Sequence, residues 1–156
     1  MALGIKSEYT NMYQQLLLAY DGSEQGQNAI LQCAEISQWT GATVTLVAIM
    51  PREMVFAAPE GGFYSPEQHA FEKQKYKLIL DQGLRILGES GHVAEGVVLQ
   101  GETIHEISKH ARKVGADLIV IGHKHEKNWA ARWWRGTSAS SLIEHAPCSV
   151  LMVITP

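Results

Sequence analysis

The sequence predicts a doubly wound α/β domain, with a mostly parallel sheet covered by helices on both faces. Three observations carry that prediction. Five short apolar runs recur along the chain, at Gln15–Tyr20, Val44–Met50, Val93–Leu99, Asp117–Ile121 and Ser149–Ile154. Several are near-continuously apolar, as strands covered on both faces are. The segments between them carry apolar residues at helical spacing, and their boundaries hold the Gly, Pro and Ser residues that start and stop helices. Strands alternating with helices imply a parallel sheet, and right-handed crossovers leave few layouts for it.

The elements follow in order. Gln15–Tyr20 (QLLLAY) reads as a buried strand, and Asp21-Gly22-Ser23 as a sharp turn with Ser23 as helix N-cap. Ala29, Ile30, Cys33, Ala34 and Ile36 share one side of the helix that follows, which Gly41 stops. Val44–Met50 is the second strand, ended by Pro51. Residues 51–65, with Pro59, Gly61 and Gly62, read as a mobile loop. Ser65-Pro66 opens a long helix that runs to about Ser90, with apolar points at Tyr76, Ile79, Leu80, Leu84 and Leu87.

Val93–Leu99 is the third strand, and Gln100–Thr103 turns into a helix lined by Ile104, Ile107, Ala111 and Val114 and closed by Gly115. The fourth strand is expected to end at Gly122, before a polar segment rich in His, Trp and Arg. Ser138–His145 forms a short helix, Pro147 stops it, and Ser149–Ile154 is the last strand.

The chain of 156 residues is expected to form one domain, with residues 1–11 as a loose tail. A net charge of −3 argues against a nucleic-acid or membrane footprint. No apolar run approaches a membrane span, and the N-terminus lacks the basic and apolar regions of a signal peptide. Cys33 and Cys148 form no CxxC pair and read as buried thiols, which suits a reducing, cytoplasmic setting.

Ligands of doubly wound sheets bind at the carboxyl ends of strands, where the strand order reverses. Those ends are Asp21, Met50, Gly101 and Gly122. At the first, Ala19-Tyr20-Asp21-Gly22-Ser23 offers a carboxylate for a ribose hydroxyl or a hydrated metal ion; equally, Asp21 shapes the turn and caps the helix. Near the last, Gly136-Thr137-Ser138 precedes a helix, where free N–H groups and hydroxyls suit a phosphate. It also reads as an ordinary helix cap. Lys124, Lys127, Arg132 and Arg135 add positive charge to this segment.

Other candidates are weaker. His105, His110, His123, His125 and His145 read as solvated or hydrogen-bonded rings, because no further ligand completes a metal site around His123-x-His125. Ser141 and His145 share a helix face, but no third group accompanies them and Gly-x-Ser-x-Gly is absent, so no hydrolase is expected. Trp129, Trp133 and Trp134 suit a lid or a partner interface, with core filling as the alternative.

Together, LLLAYDGSE, ADLIVIGHKH and GTSASSLIEHAPCSVLMV resemble the universal stress protein family, from about Gln14 to Thr155. The resemblance implies sheet order 3-2-1-4-5, the adenine-nucleotide alpha-hydrolase-like arrangement. Nucleotide-binding members carry Gly-x-x-Gly, nine residues, then Gly-Ser or Gly-Thr. Here Gly122 matches the first glycine and Gly136-Thr137 the last pair, but His125 replaces the second glycine and ten residues follow it. Members lacking the glycine pattern tend not to bind ATP.

By resemblance, Ala19, Tyr20 and Asp21 would line the adenosine side, Ile49 would pack on adenine, and Ile121 and Gly122 would floor the pocket. His125 would stand beside the phosphates, held by Gly136, Thr137, Ser138 and Ala139. The implied ligand is ATP, ADP or AMP, with Mg²⁺ held by Asp21 through water if a triphosphate binds. The implied partner is a second copy, paired through Ser149–Ile154. Hydrolysis would be slow at most. The alternative function is a dimeric regulator that binds no nucleotide and works through protein contacts at the Trp129–Trp134 and 51–65 loops.

Overall fold

The computed structural model describes residues 12–51, 65–124 and 138–155. Five strands form one parallel sheet: β1 (Gln15–Ala19), β2 (Thr43–Pro51), β3 (Ala94–Gly101), β4 (Leu118–Lys124) and β5 (Ser149–Thr155). Their order is β3-β2-β1-β4-β5. The helices are α1 (Glu24–Thr40), α2 (Pro66–Glu89), α3 (Thr103–Val114) and α4 (Ser138–His145).

The central strand shows why this sequence makes a two-faced sheet. Leu16, Leu17 and Leu18 are all fully buried, yet alternate residues of a strand face opposite ways. Leu16, Leu18 and Tyr20 pack with Ala29, Ile30 and Cys33 of α1 and Leu80 and Leu87 of α2. Leu17 joins Val47 and Ile119 against Ile104, Ile107 and Ala111 of α3 and Leu142 of α4. One run of leucines therefore supplies both core layers.

Local chemistry sets the helix ends. The Ser23 hydroxyl accepts from the Gly26 N–H at 3.1 Å. Ser65 and Gln68 form a reciprocal capping box, with Pro66 at the first helical position. Glu102 caps α3, accepting from the Ile104 and His105 N–H groups at 3.1 and 2.7 Å. Gly41 and Gly115 close α1 and α3 in the left-handed conformation.

Three sequence expectations need correction. β4 does not end at Gly122: Gly122, His123 and Lys124 pair with Val153, Ile154 and Thr155 of β5. The backbone ladder continues past the last apolar residue because it needs N–H and C=O groups, not apolar side chains. β3 likewise runs on to Gly101, which pairs with Pro51 at the end of β2. Cys33 is buried, but Cys148 is only half-buried.

Candidate functional site

The chain runs outward from β1 to β2 to β3, then returns to place β4 on the other side of β1. Between β1 and β4 the strand order reverses, and a crevice forms beyond their carboxyl ends. A cavity of about 220 Å³ opens there. Ala19, Tyr20 and Asp21 reach it from the end of β1, Ile49 from β2, and Ile121 and Gly122 from β4. The remainder of the wall comes from Gly26, Thr103, Ile104, Ile107 and Leu142.

Each segment has a reason to be there. Just past β1, the Tyr20 N–H still bonds the Val47 carbonyl at 2.9 Å, which holds the chain in line with the sheet. The Tyr20 ring is buried, and its hydroxyl donates to Gln82 Oε1 at 3.1 Å. Gly26 and Gly83 make room for that ring: a Cβ on either would come within 2.7 or 2.8 Å of it. Gly22 then turns the chain with φ of +84°, a conformation that favours glycine.

Asp21 is exposed at the cavity mouth. Its Oδ1 accepts from the Ser23 N–H at 2.9 Å and from the Ser23 hydroxyl at 2.5 Å. Asp21 therefore braces the turn while its carboxylate stays open to solvent. Below it, Ile49, Ile104, Ile107, Ile121 and Leu142 give the cavity an aliphatic wall. An apolar wall with one carboxylate at the mouth suits a flat apolar ring joined to a hydroxyl-bearing group.

Gly122 matters for a different reason. On β4 it lies so near the start of α1 that a Cβ there would run into the Gln25 carbonyl and come within 2.7 Å of the Gly26 nitrogen. Only glycine lets strand and helix approach this closely.

Six of the expected site residues thus meet on one cavity. Ser138 and Ala139 begin α4, four and three residues before Leu142 in the cavity wall. His125, Gly136, Thr137 and the Trp129–Trp134 segment lie outside the described residues, as do residues 1–11 and most of the 51–65 loop. The α3 side of the wall was missed, because the sequence presents Ile104 and Ile107 as ordinary core positions. The end of β3 just before them was the available signal.

His145 is not paired with the Ser141 hydroxyl: its Nδ1 lies 2.7 Å from the Ser141 carbonyl oxygen. Among the described residues, no group of three His, Cys, Asp or Glu side chains is gathered to hold a metal. None of their helices is long and apolar enough to cross a membrane.

The fold and this crevice define a doubly wound α/β protein with a switch-point cavity. The model of the universal stress protein family matches residues 12–153, and the chain belongs to that family. It is 26% identical over 120 residues to the universal stress protein YxiE of Bacillus subtilis, covering 72% of this chain and 80% of that one. Solved structures share its fold. The universal stress protein from Archaeoglobus fulgidus in complex with dAMP matches with TM-score 0.64 at 22% identity, covering 91% of this chain and 98% of that one. A family protein from Arabidopsis thaliana with AMP bound matches with TM-score 0.61 at 16% identity, covering 92% of each chain.

Proposed function

We propose that this protein is a stress-response regulator that holds an adenine nucleotide in the cavity between the ends of β1 and β4. The observation that supports the reading is the meeting of Ala19, Tyr20, Asp21, Ile49, Ile121 and Gly122 around one cavity with an aliphatic wall. The dAMP and AMP complexes of the two related structures support it independently. In this reading Ile49 packs on adenine and Asp21 accepts from a ribose hydroxyl. The cavity, at about 220 Å³, lies below the usual range for a complete ligand pocket. The phosphates would extend towards the start of α4, where by resemblance to the family Gly136, Thr137, Ser138 and Ala139 would hold them, with His125 beside them. Asp21 would take Mg²⁺ through water only with a triphosphate.

The reading includes a cytoplasmic homodimer. β5 is an edge strand, and Ile154 upon it is 58% exposed. An open apolar edge invites a partner strand, so two copies pair through Ser149–Ile154. Light scattering behind size exclusion is expected to give the dimer mass at micromolar concentration, and a clean monomer removes this part.

Calorimetry with AMP and ATP, with and without Mg²⁺, tests the nucleotide. Saturable binding is expected, weakened by Gly136→Asp. No heat at millimolar nucleotide would overturn the assignment.

A further inference from the structure

The α3 side of the switch-point cavity holds a polar residue among its aliphatic ones. Thr103, the first residue of α3, stands in the wall beside Ile104. Among the described wall residues, three carry polar side chains: Tyr20, Asp21 and Thr103. The Tyr20 hydroxyl is committed to Gln82 Oε1. Asp21 sits at the mouth, where its Oδ1 accepts from Ser23. Thr103 is half-buried. Its hydroxyl has no capping task at the helix start, because the Glu102 carboxylate accepts from the Ile104 and His105 N–H groups there.

Strand register fixes how these groups follow one another. Ala19 pairs with Val47, so Asp21 and Ile49, each two residues further on, stand level at the ends of β1 and β2. Gly101 pairs with Pro51, and Thr103 lies two residues past Gly101, beyond the end of β3. Crossing from β1 through β2 to β3 takes two strand spacings, about 10 Å in all. Across one cavity the wall therefore presents a carboxylate, an aliphatic surface and a hydroxyl. A purine nucleoside presents the complementary order: ribose hydroxyls, a flat ring and, in adenine, an exocyclic amine on the edge farthest from the sugar. With a hydrogen bond at each end it can bridge that span.

We infer that Thr103 reads the base, its hydroxyl oxygen accepting a hydrogen bond from the exocyclic amine of adenine. The inference rests on the nucleotide reading of this cavity and adds the residue that selects the base. In a nucleoside that amine is the only N–H donor of adenine. Among aliphatic side chains it is costly to leave without an acceptor. Asp21, the other side-chain acceptor in the wall, lies at the ribose end. A purine without the amine forgoes the bond to Thr103 and keeps every other contact.

Calorimetry of the full chain with AMP and with purine riboside 5′-monophosphate, which lacks the amine, tests the inference. Wild type should bind AMP about fivefold more tightly than the amine-free analogue, the usual worth of one neutral hydrogen bond. Thr103→Val keeps the shape of the side chain and removes the hydroxyl. It should bind AMP about fivefold more weakly than wild type and bind the analogue as wild type does. Thr103→Ser keeps the hydroxyl and should retain the preference for AMP. AMP binding unchanged in Thr103→Val, or an equal loss for both ligands, would overturn this inference alone. No binding of AMP by wild type would overturn the nucleotide reading and this inference with it.

Discussion

Gly122 on β4 and Gln25 on α1 approach so closely that a single added carbon at 122 would overlap the Gln25 carbonyl group. The obstacle is backbone, so no side-chain rotation relieves it. The helix must move, and α1 also carries Ala29, Ile30 and Cys33 into the core. Gly122→Ala is therefore expected to cost about 2–3 kcal/mol, the usual penalty for overfilling a packed interior. That lowers the melting temperature by about 5–10 °C in a domain of this size. Calorimetric melting checks it, and an unchanged melting temperature would contradict the close contact.

Asp21 and Ser23 separate a structural role from a binding role. Ser23→Ala removes the cap bond to the Gly26 N–H and is expected to cost about 1 kcal/mol. Asp21→Ala removes the acceptor of two bonds from Ser23 and should cost about as much. Asp21→Asn keeps an oxygen acceptor for that turn but not its charge. Its stability should stay near wild type while AMP binding weakens about fivefold, the difference between a charge-assisted and a neutral hydrogen bond. Chemical denaturation and calorimetry on the same three variants read the two roles apart.

His110 is buried on α3, and its Nε2 has no partner among the described residues. Burial pushes its pKa below the ordinary 6.5, nearby Lys113 pushes the same way, and Glu106 opposes them. A lowered folded pKa means that the unfolded chain takes up the proton first as pH falls. This residue therefore makes stability decline as pH drops through 6.5 and has no effect well above it. The slope is at most about 1.4 kcal/mol per pH unit. His110→Leu should flatten urea midpoints measured from about pH 5 to pH 7 relative to wild type. An equally steep decline in the variant would assign the effect elsewhere.

Much of this architecture is legible in the sequence, because its signals are local. Ser23, Gly41, Ser65-Pro66 and Gly115 mark helix ends through hydrogen bonds to residues a few positions away. The ends of β3 and β4 were not legible: Gly101 and Lys124 belong to their strands through pairing with Pro51 and Thr155 on neighbouring strands. The site divides the same way. Ala19, Tyr20 and Asp21 follow an evident strand, whereas Ile104 and Ile107 repeat as any helix core does. Helical spacing shows which face is apolar, not whether that face meets a sheet or a cavity. Gly26 is fixed by a ring six residues away that reaches it only after β1 and α1 pack.

The two cysteines should differ sharply in reactivity. Cys33 is fully buried in the α1 layer, and burial pushes its thiol from 9.0 up to about 12. Cys148 is half-buried; burial, then the nearby Asp117 carboxylate, raise its pKa, and a backbone hydrogen bond at Ile119 opposes them. A thiol-directed reagent near neutral pH should label Cys148 slowly and Cys33 only on unfolding, since the thiolate is the nucleophile. The raised Cys33 pKa also acts on stability. Below pH 9.0 both states hold the proton, and its contribution is fully present. Between pH 9.0 and about 12 the unfolded chain releases a proton that the folded one keeps, so stability is lost as pH rises. The loss approaches about 1.4 kcal/mol per pH unit. Cys33→Ala removes this alkaline slope and leaves a cavity that lowers stability at every pH. Guanidinium midpoints of both proteins across that range decide the matter: parallel curves would show that Cys33 titrates normally in the folded state.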